Sequence, residues 1–147
     1  MPSIEVEVII PAAPDRVYAA AKDIERFPEF MPNVQEVEVL ERRGACVVSR
    51  WVARVEEFNR TIKWIEQDEW NDERRVCAFR ATEGDWDRYE GEWGFEEHPE
   101  GTRAYINLHF EFNVPLIGPL IKGLLARLVR NNAEETLRGV ARMVAAT

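Results

Sequence analysis

Apolar side chains recur along the chain at two spacings, and the spacing lengthens from two residues to three or four near residue 114. From residue 35 to residue 113 apolar and polar positions alternate, which is typical of half-buried β-strands. Short clusters of Gly, Asn, Asp and Pro interrupt the alternation and predict an antiparallel meander. Its six strands are predicted at residues 35–42, 46–57, 60–71, 74–83, 86–97 and 102–113.

The segment before the meander predicts a strand, a short helix and a compact turn. Residues 4–10 alternate as a first strand, and Pro14 suits the first turn of a helix that extends to about residue 24. Residues 27–34 combine two prolines with large apolar side chains, which indicates a turn or broken helix packed inward.

Residues 115–144 predict a long helix whose apolar stripe changes direction. Its first half is apolar around Leu120 and Leu124, whereas the stripe of the second half passes through Leu137 and Val140. We expect a curved sheet to hold the second half, while the first half borders a cavity. The alternative is that both halves fill an ordinary core.

Alternation also assigns inward faces to the strands. The predicted inward side chains include Trp51, Trp64, Tyr89, Trp93, Leu108 and Phe110. Glu66 and Asp68 share the face of Trp64, which is unusual for carboxyl groups. In the fourth strand of the meander, alternation leaves open whether the face with Arg80 or the face with Phe79 points inward.

Length and composition predict one domain over residues 1–147, in the cytoplasm. A chain of this size can bury a core without disulfides, and it shows neither a signal-peptide profile nor an apolar run of membrane-spanning length. Cys46 and Cys77 form no CxxC pair, and no metal, phosphate-loop or cofactor motif is present. We therefore expect no metal and no cofactor.

The net charge of −8 is unevenly distributed. Acidic residues dominate before residue 115, and basic residues outnumber them afterwards. An acidic body disfavours nucleic acid, whose phosphates require a basic surface, so direct nucleic acid binding is not expected. Attraction between the helix and the acidic sheet is the favoured interpretation, and transient contact with an anionic membrane surface is the alternative.

Several short motifs occur in a consistent order. Residues 8–18 read VIIPAAPDRVY, residues 23–30 read DIERFPEF, residues 89–95 read YEGEWGF, and FEF at residues 110–112 precedes PLIG at residues 115–118. In these motifs and their spacing the chain resembles the START-like (SRPBCC, Bet v 1-like) superfamily, specifically its polyketide cyclase/dehydrase and coenzyme Q-binding protein branch. The resemblance implies an α+β helix-grip fold, in which a curved antiparallel sheet wraps around a long C-terminal helix and two short helices follow the first strand.

The resemblance also implies a deep cavity between the sheet and the helix, for which we expect several hundred Å³. Alignment of the chain with the aromatase/cyclases of this superfamily favours an inward-facing Arg80. Those enzymes are thought to use a cavity arginine and a tyrosine, and here the corresponding positions are Asp68 and Val34. Their electrostatic mechanism is therefore not available in the same form, because an acid does not stabilise an oxyanion as a fixed cation does.

Three classes of function remain. A binding or carrier protein for a hydrophobic small molecule, of the lipid, quinone or polyketide-like kind, is favoured, since it needs only the cavity. A polyketide aromatase/cyclase is the first alternative, with Glu66, Asp68 and Arg80 as candidate catalytic residues, and an interaction protein of the ribosome-associated or respiratory-complex-associated kind is the second. Whether the protein is an enzyme stays open, and a non-catalytic role is favoured. The predicted ligand-binding residues are Phe27, Met31, Val34, Trp51, Trp64, Arg80, Tyr89, Trp93, Leu108, Phe110, Ile117, Ile121 and Leu124.

Overall fold

The computed structural model describes residues 3–112 and 119–146. Within these residues seven antiparallel strands form one sheet in the order β1-β7-β6-β5-β4-β3-β2. The elements in chain order are β1 (Ser3–Ile10), α1 (Pro14–Lys22), α2 (Phe27–Phe30), β2 (Val34–Arg43), β3 (Cys46–Val55), β4 (Arg60–Asn71), β5 (Val76–Gly84), β6 (Arg88–His98), β7 (Gly101–Glu111) and α3 (Pro119–Ala145). The meander and the helix-grip arrangement are as predicted.

The C-terminal half of α3 forms the centre of the core. Leu137 and Val140 are fully buried, and Met143 and Val144 are nearly so. Helix α3 packs against β1 and β7 of the sheet and also against α1 and α2. The prediction that the sheet holds this half of the helix is confirmed. No helix in the described part of the chain combines the length and the hydrophobicity that crossing a membrane would require.

The face of β5 is the main correction to the predicted sheet. Cys77 and Phe79 are buried, whereas Arg80 is exposed and its guanidinium lies 3.3 Å from the side-chain oxygen of Gln67 on the outer face. Because side chains alternate along a strand, an inward Phe79 requires an outward Arg80. The assignment of Arg80 to the cavity, as a candidate catalytic residue and as a ligand anchor, is therefore wrong.

The outcome differs among four other predicted ligand-binding residues. Met31 is only 1% exposed because it packs against the backbone of α3 at Gly139, where a Cβ atom would lie 2.4 Å from its Cγ atom. Ile117 lies outside the described residues, as does the side chain of Ile121. Leu124 is partly buried against the core.

Candidate functional site

A cavity of about 100 Å³ lies between the inner face of the sheet and the middle of α3, and it is partly open to solvent. Its wall is largely apolar, and its polar members are a few uncharged side chains and one carboxyl group. The lining residues are Phe27, Asn33, Val34, Trp51, Ala53, Val55, Ile62, Trp64, Glu66, Phe79, Trp86, Tyr89, Trp93, Ile106, Leu125, Leu128, Val129, Asn132, Ala133 and Thr136.

Aromatic rings form the sheet side of the cavity. The indoles of Trp51 and Trp64, on neighbouring strands, are stacked with their centroids 5.8 Å apart and their planes at 8°. Trp86 stacks on Tyr89 at 4.7 Å and meets Trp64 edge-on at 6.1 Å. These large side chains occupy much of the space under the sheet. The cavity is consequently smaller than the several hundred Å³ that we predicted.

Trp86 enters the wall through the loop that joins β5 to β6. Gly84 begins this loop at φ +116° and touches β4 so closely that a Cβ atom would lie 2.5 Å from the Cα atom of Trp64. The amide of Asp85 donates to the carbonyl of Lys63 over 2.9 Å, and the amide of Asp87 donates to the carbonyl of Glu111 over 3.0 Å. The loop is thus fixed on both sides of Trp86, which holds this side chain under the sheet.

The indole N–H groups of the wall differ in their partners. Nε1 of Trp51 donates to Oγ of Ser49 over 2.9 Å, and Nε1 of Trp64 donates to Oε1 of Glu66 over 3.0 Å. Nε1 of Trp86 is buried and has no hydrogen-bond partner in the described chain, and the same is true of Oδ1 of Asn33. The cavity wall therefore contains a donor and an acceptor that the described residues leave unpaired.

Glu66 and Asp68 form a buried carboxyl pair on β4. Glu66 lines the cavity and is 7% exposed, whereas Asp68 lies beyond it at 1% exposed. Burial raises the pKa of Asp68 well above its usual range, and the negative charge of Glu66 and the hydrogen bond between the two carboxyls raise it further. Burial also raises the pKa of Glu66, although hydrogen bonds from Asp68 and Trp64 oppose this rise. Both shifts favour a proton shared within the pair, with Asp68 as the hydrogen-bond donor and Glu66 as the acceptor.

Arg80 forms no ion pair with these carboxyls in the described structure, because it lies on the other face of the sheet. Two further titratable groups near the pair stay protonated. Burial is the main cause that raises the pKa of the Cys77 thiol. Burial likewise raises the pKa of Tyr89, and the charge of Glu66 raises it further. Cys77 is therefore no thiolate nucleophile, and Tyr89 carries a neutral phenol.

The structure divides the predicted ligand-binding residues into two groups. Those in the cavity wall are Phe27, Val34, Trp51, Trp64, Tyr89 and Trp93. Leu108 and Phe110 are instead buried in the core, and Phe110 meets Trp86 from outside the cavity wall. Whether the wall residues bind a ligand stays a prediction.

Several wall residues were not among the predicted binding residues. For Ala53, Val55, Ile62 and Ile106 the alternation along the strands already indicated the inward face. Asn132, Ala133 and Thr136 come from α3, and the hydroxyl of Thr136 donates to the carbonyl of Asn132 over 2.9 Å. Asn132 and Thr136 are polar, so apolar periodicity along the helix did not indicate them. Within residues 3–112 and 119–146 no three His, Cys, Asp or Glu side chains are grouped as metal ligands.

The sequence of this chain is similar to those of known proteins. The family described as "Polyketide cyclase / dehydrase and lipid transport" matches residues 10–136. A putative polyketide cyclase of Streptomyces cyaneus is 30% identical over 107 residues, which cover 72% of this chain and 70% of the relative.

Solved structures extend the comparison to almost the whole chain. TTHA0849 from Thermus thermophilus is 40% identical and has a TM-score of 0.94, with 99% of this chain and 98% of that one covered. The Zhui aromatase/cyclase from Streptomyces sp. R1128 has a TM-score of 0.88 at 20% identity, over 98% and 93% of the two chains. At 20% identity the likeness shows a shared fold.

Proposed function

The chain belongs to the polyketide cyclase/dehydrase and lipid transport family, and on this premise we propose that it is a binding or carrier protein for a hydrophobic small molecule. The proposed ligand is of the lipid, quinone or polyketide-like class, and the proposed site is the cavity between the sheet and α3. The narrower resemblance to coenzyme Q-binding proteins stays a prediction.

One observation carries the proposal: the cavity wall is aromatic, yet it contains buried polar atoms without partners. A packed core leaves few buried polar atoms unpaired, because each one costs about 1–3 kcal/mol. Nε1 of Trp86 and Oδ1 of Asn33 are both in this position, and both residues line the cavity. A bound molecule with matching polar groups, or water, would satisfy them. The surrounding rings supply the apolar contact that such a molecule needs.

The size of the cavity limits what enters it. An engineered apolar cavity of about 150 Å³ binds benzene, so the space of about 100 Å³ found here suits roughly one flat ring. A larger ligand would extend through the open side or displace the rings of Trp86 and Tyr89. We therefore propose that one ring of the ligand lies among the indoles and that the rest lies towards the opening.

Filling the cavity tests the proposal. Ala133 is 5% exposed and lines the cavity from α3, so Ala133→Phe places a ring in the ligand space. Overpacking of this kind costs about 1–3 kcal/mol of stability, which leaves the fold to be verified by circular dichroism. Ala78→Phe is the matched control, because Ala78 is exposed on the outer face of β5.

The readout is native mass spectrometry of protein purified from its own organism. We expect the wild type and Ala78→Phe to carry the same small molecule and folded Ala133→Phe to lack it. Equal ligand content in folded Ala133→Phe would contradict the cavity as the binding site. Wild-type protein that carries no ligand and takes up no hydrophobic compound added to it would contradict the binding function itself.

A cyclase-type enzyme is the second candidate, and the carboxyl of Glu66 in the cavity wall favours it. A carboxyl whose pKa burial has raised can move a proton to or from a bound ketone. The relative named as a putative polyketide cyclase also supports a cyclase-type function. Incubation with a poly-β-ketone thioester tests it: Glu66→Gln should lower cyclised product roughly a hundredfold relative to wild type. Equal product from both proteins, or from buffer alone, would remove this candidate.

A further inference from the structure

We infer that Glu66 and Asp68 act together as a hydrogen-bonding subsite that selects an uncharged ligand carrying a hydroxyl group and rejects anionic amphiphiles. The inference rests on the proposed binding function and specifies the chemistry of the ligand. Glu66 is assigned the contact with the ligand. Asp68 is assigned a positioning role behind it.

The strand places the two carboxyls one behind the other. Residues two apart on β4 face the same side, so Trp64, Glu66 and Asp68 form one inward row. Nε1 of Trp64 donates to Oε1 of Glu66 over 3.0 Å, and Asp68 shares a hydrogen bond with the same carboxylate. Glu66 is consequently held at the cavity wall by a donor on each side along the strand.

The surroundings of the pair explain why it holds a proton and not a cation. Among the described residues the cavity wall contains no Lys, Arg or His. The titratable groups of neighbouring strands that interact with the carboxyls are Cys46 of β3, Cys77 of β5 and Tyr89 of β6, and none of them is a cation. Asn132 and Thr136 of α3 are uncharged. A proton shared within the pair is therefore what limits its buried negative charge.

This arrangement determines which head group fits. With Asp68 as the donor within the pair, Glu66 is an acceptor in the cavity wall, and Trp86 of the same wall has a buried Nε1 donor without a partner in the described chain. A hydroxyl group can donate to the first and accept from the second. A carboxylate or phosphate would approach the negative charge of Glu66 with no cation in the described wall to offset the repulsion.

Three single-ring probes that share a 4-propylphenyl group separate these effects. 4-Propylphenol can donate a hydrogen bond, 4-propylanisole can only accept one, and 4-propylbenzoate is an anion at neutral pH. Calorimetric titration of the wild type should give the phenol at least tenfold tighter binding than the anisole, the usual value of a hydrogen bond to a charged acceptor. The benzoate should bind at least tenfold more weakly than the phenol.

Variants of Glu66 and Asp68 test whether the carboxyl pair causes this ligand selectivity. In Glu66→Gln the phenol should lose most of its advantage over the anisole, and binding of the benzoate should strengthen. Asp68→Asn should keep the selectivity, because its amide still donates to Glu66, whereas Asp68→Leu should reduce it. Glu69→Gln, an exposed carboxyl on the opposite face of β4, serves as the control and should behave as the wild type.

The outcomes distinguish this inference from the binding function on which it rests. Equal affinity of the wild type for phenol and anisole, or tight binding of the benzoate, would overturn the assignment of Glu66 and leave the binding function standing. Unchanged selectivity in Glu66→Gln would do the same. If none of the three probes binds and none displaces a ligand copurified with the protein, both proposals fail.

Discussion

Replacing Asp68 with asparagine is expected to abolish part of a pH-dependent loss of stability that the carboxyl pair causes. Asp68 releases its proton in the unfolded chain around the ordinary value of 3.8, but the pKa in the folded protein is well above this. Between the two values the folded protein binds one more proton than the unfolded chain. The free energy of unfolding must therefore fall as pH rises through that interval.

The size of the effect follows from the proton count. One proton of difference gives a slope of about 1.4 kcal/mol per pH unit, and the slope vanishes once the pH exceeds the raised pKa of the folded state. The amide of Asp68→Asn donates to Glu66 without titrating. The variant should thus lose the part of the slope that Asp68 causes, and it should be more stable than the wild type at the alkaline end. Glu66, whose pKa is also raised, keeps a smaller slope in the variant.

Urea denaturation measures this slope directly. The free energy of unfolding would be determined from about pH 4 to about pH 9 for the wild type, Asp68→Asn and the control Glu69→Gln. The control removes a carboxyl from the same strand but from its exposed face, so its slope should match that of the wild type. Parallel curves for the wild type and Asp68→Asn would show that Asp68 is ionised when folded, which would refute the shared proton.

Three further predictions concern the cavity wall and its outer face. Gly84→Ala should destabilise by about 1–3 kcal/mol and alter tryptophan fluorescence, because its φ of +116° and the contact with β4 both oppose a Cβ atom; Gly44→Ala, at φ +55° with no atom within 4 Å, should cost only about 1 kcal/mol. Trp64→Phe should cost about 1–3 kcal/mol more in urea denaturation than Trp86→Phe, because only the indole of Trp64 has a hydrogen-bond partner to lose; equal costs would contradict the role of that bond. Arg80→Leu should leave probe affinity within experimental error of the wild type, since Arg80 lies on the outer face, and a loss of affinity would contradict that placement.

The sequence predicted the sheet and the faces of its long strands because the hydrophobic effect acts on those strands without competition. On β4 both Trp64 and Trp70 lie on one face, so the alternation placed Glu66 and Asp68 inward despite their charge, as the structure confirms. On β5 the two faces are similar in hydrophobicity, and the aromatase/cyclase register favoured the wrong one. A register shift where β5 meets Ile65 and Glu66 of β4 also leaves the pairing of its C-terminal end beyond the reach of sequence periodicity.

The details of the cavity depend on interactions that periodicity does not express. Trp86 was predicted as the first residue of the strand at residues 86–97, but the backbone conformation of Gly84 and the hydrogen bonds of its loop place it beneath the sheet. The volume of the cavity depends in turn on how the indole rings stack. Side-chain rotamers and loop geometry decide both features, and neither can be derived from residue spacing.

The carboxyl pair is better explained by binding than by stability. A buried ion pair can at least repay part of its desolvation through a cation, but Glu66 and Asp68 repel each other and share only a proton. Oδ1 of Asp68 has no hydrogen-bond partner in the described chain, so the pair is not a completed structural network. Apolar residues of similar volume at these positions would avoid that cost, and β4 already buries Ile62, Trp64 and Trp70 on the same face. A site that recognises a polar group needs its acceptor in place before the ligand binds, and this preorganisation costs stability when the ligand is absent. A carboxyl pair at the wall of an aromatic cavity fits this requirement.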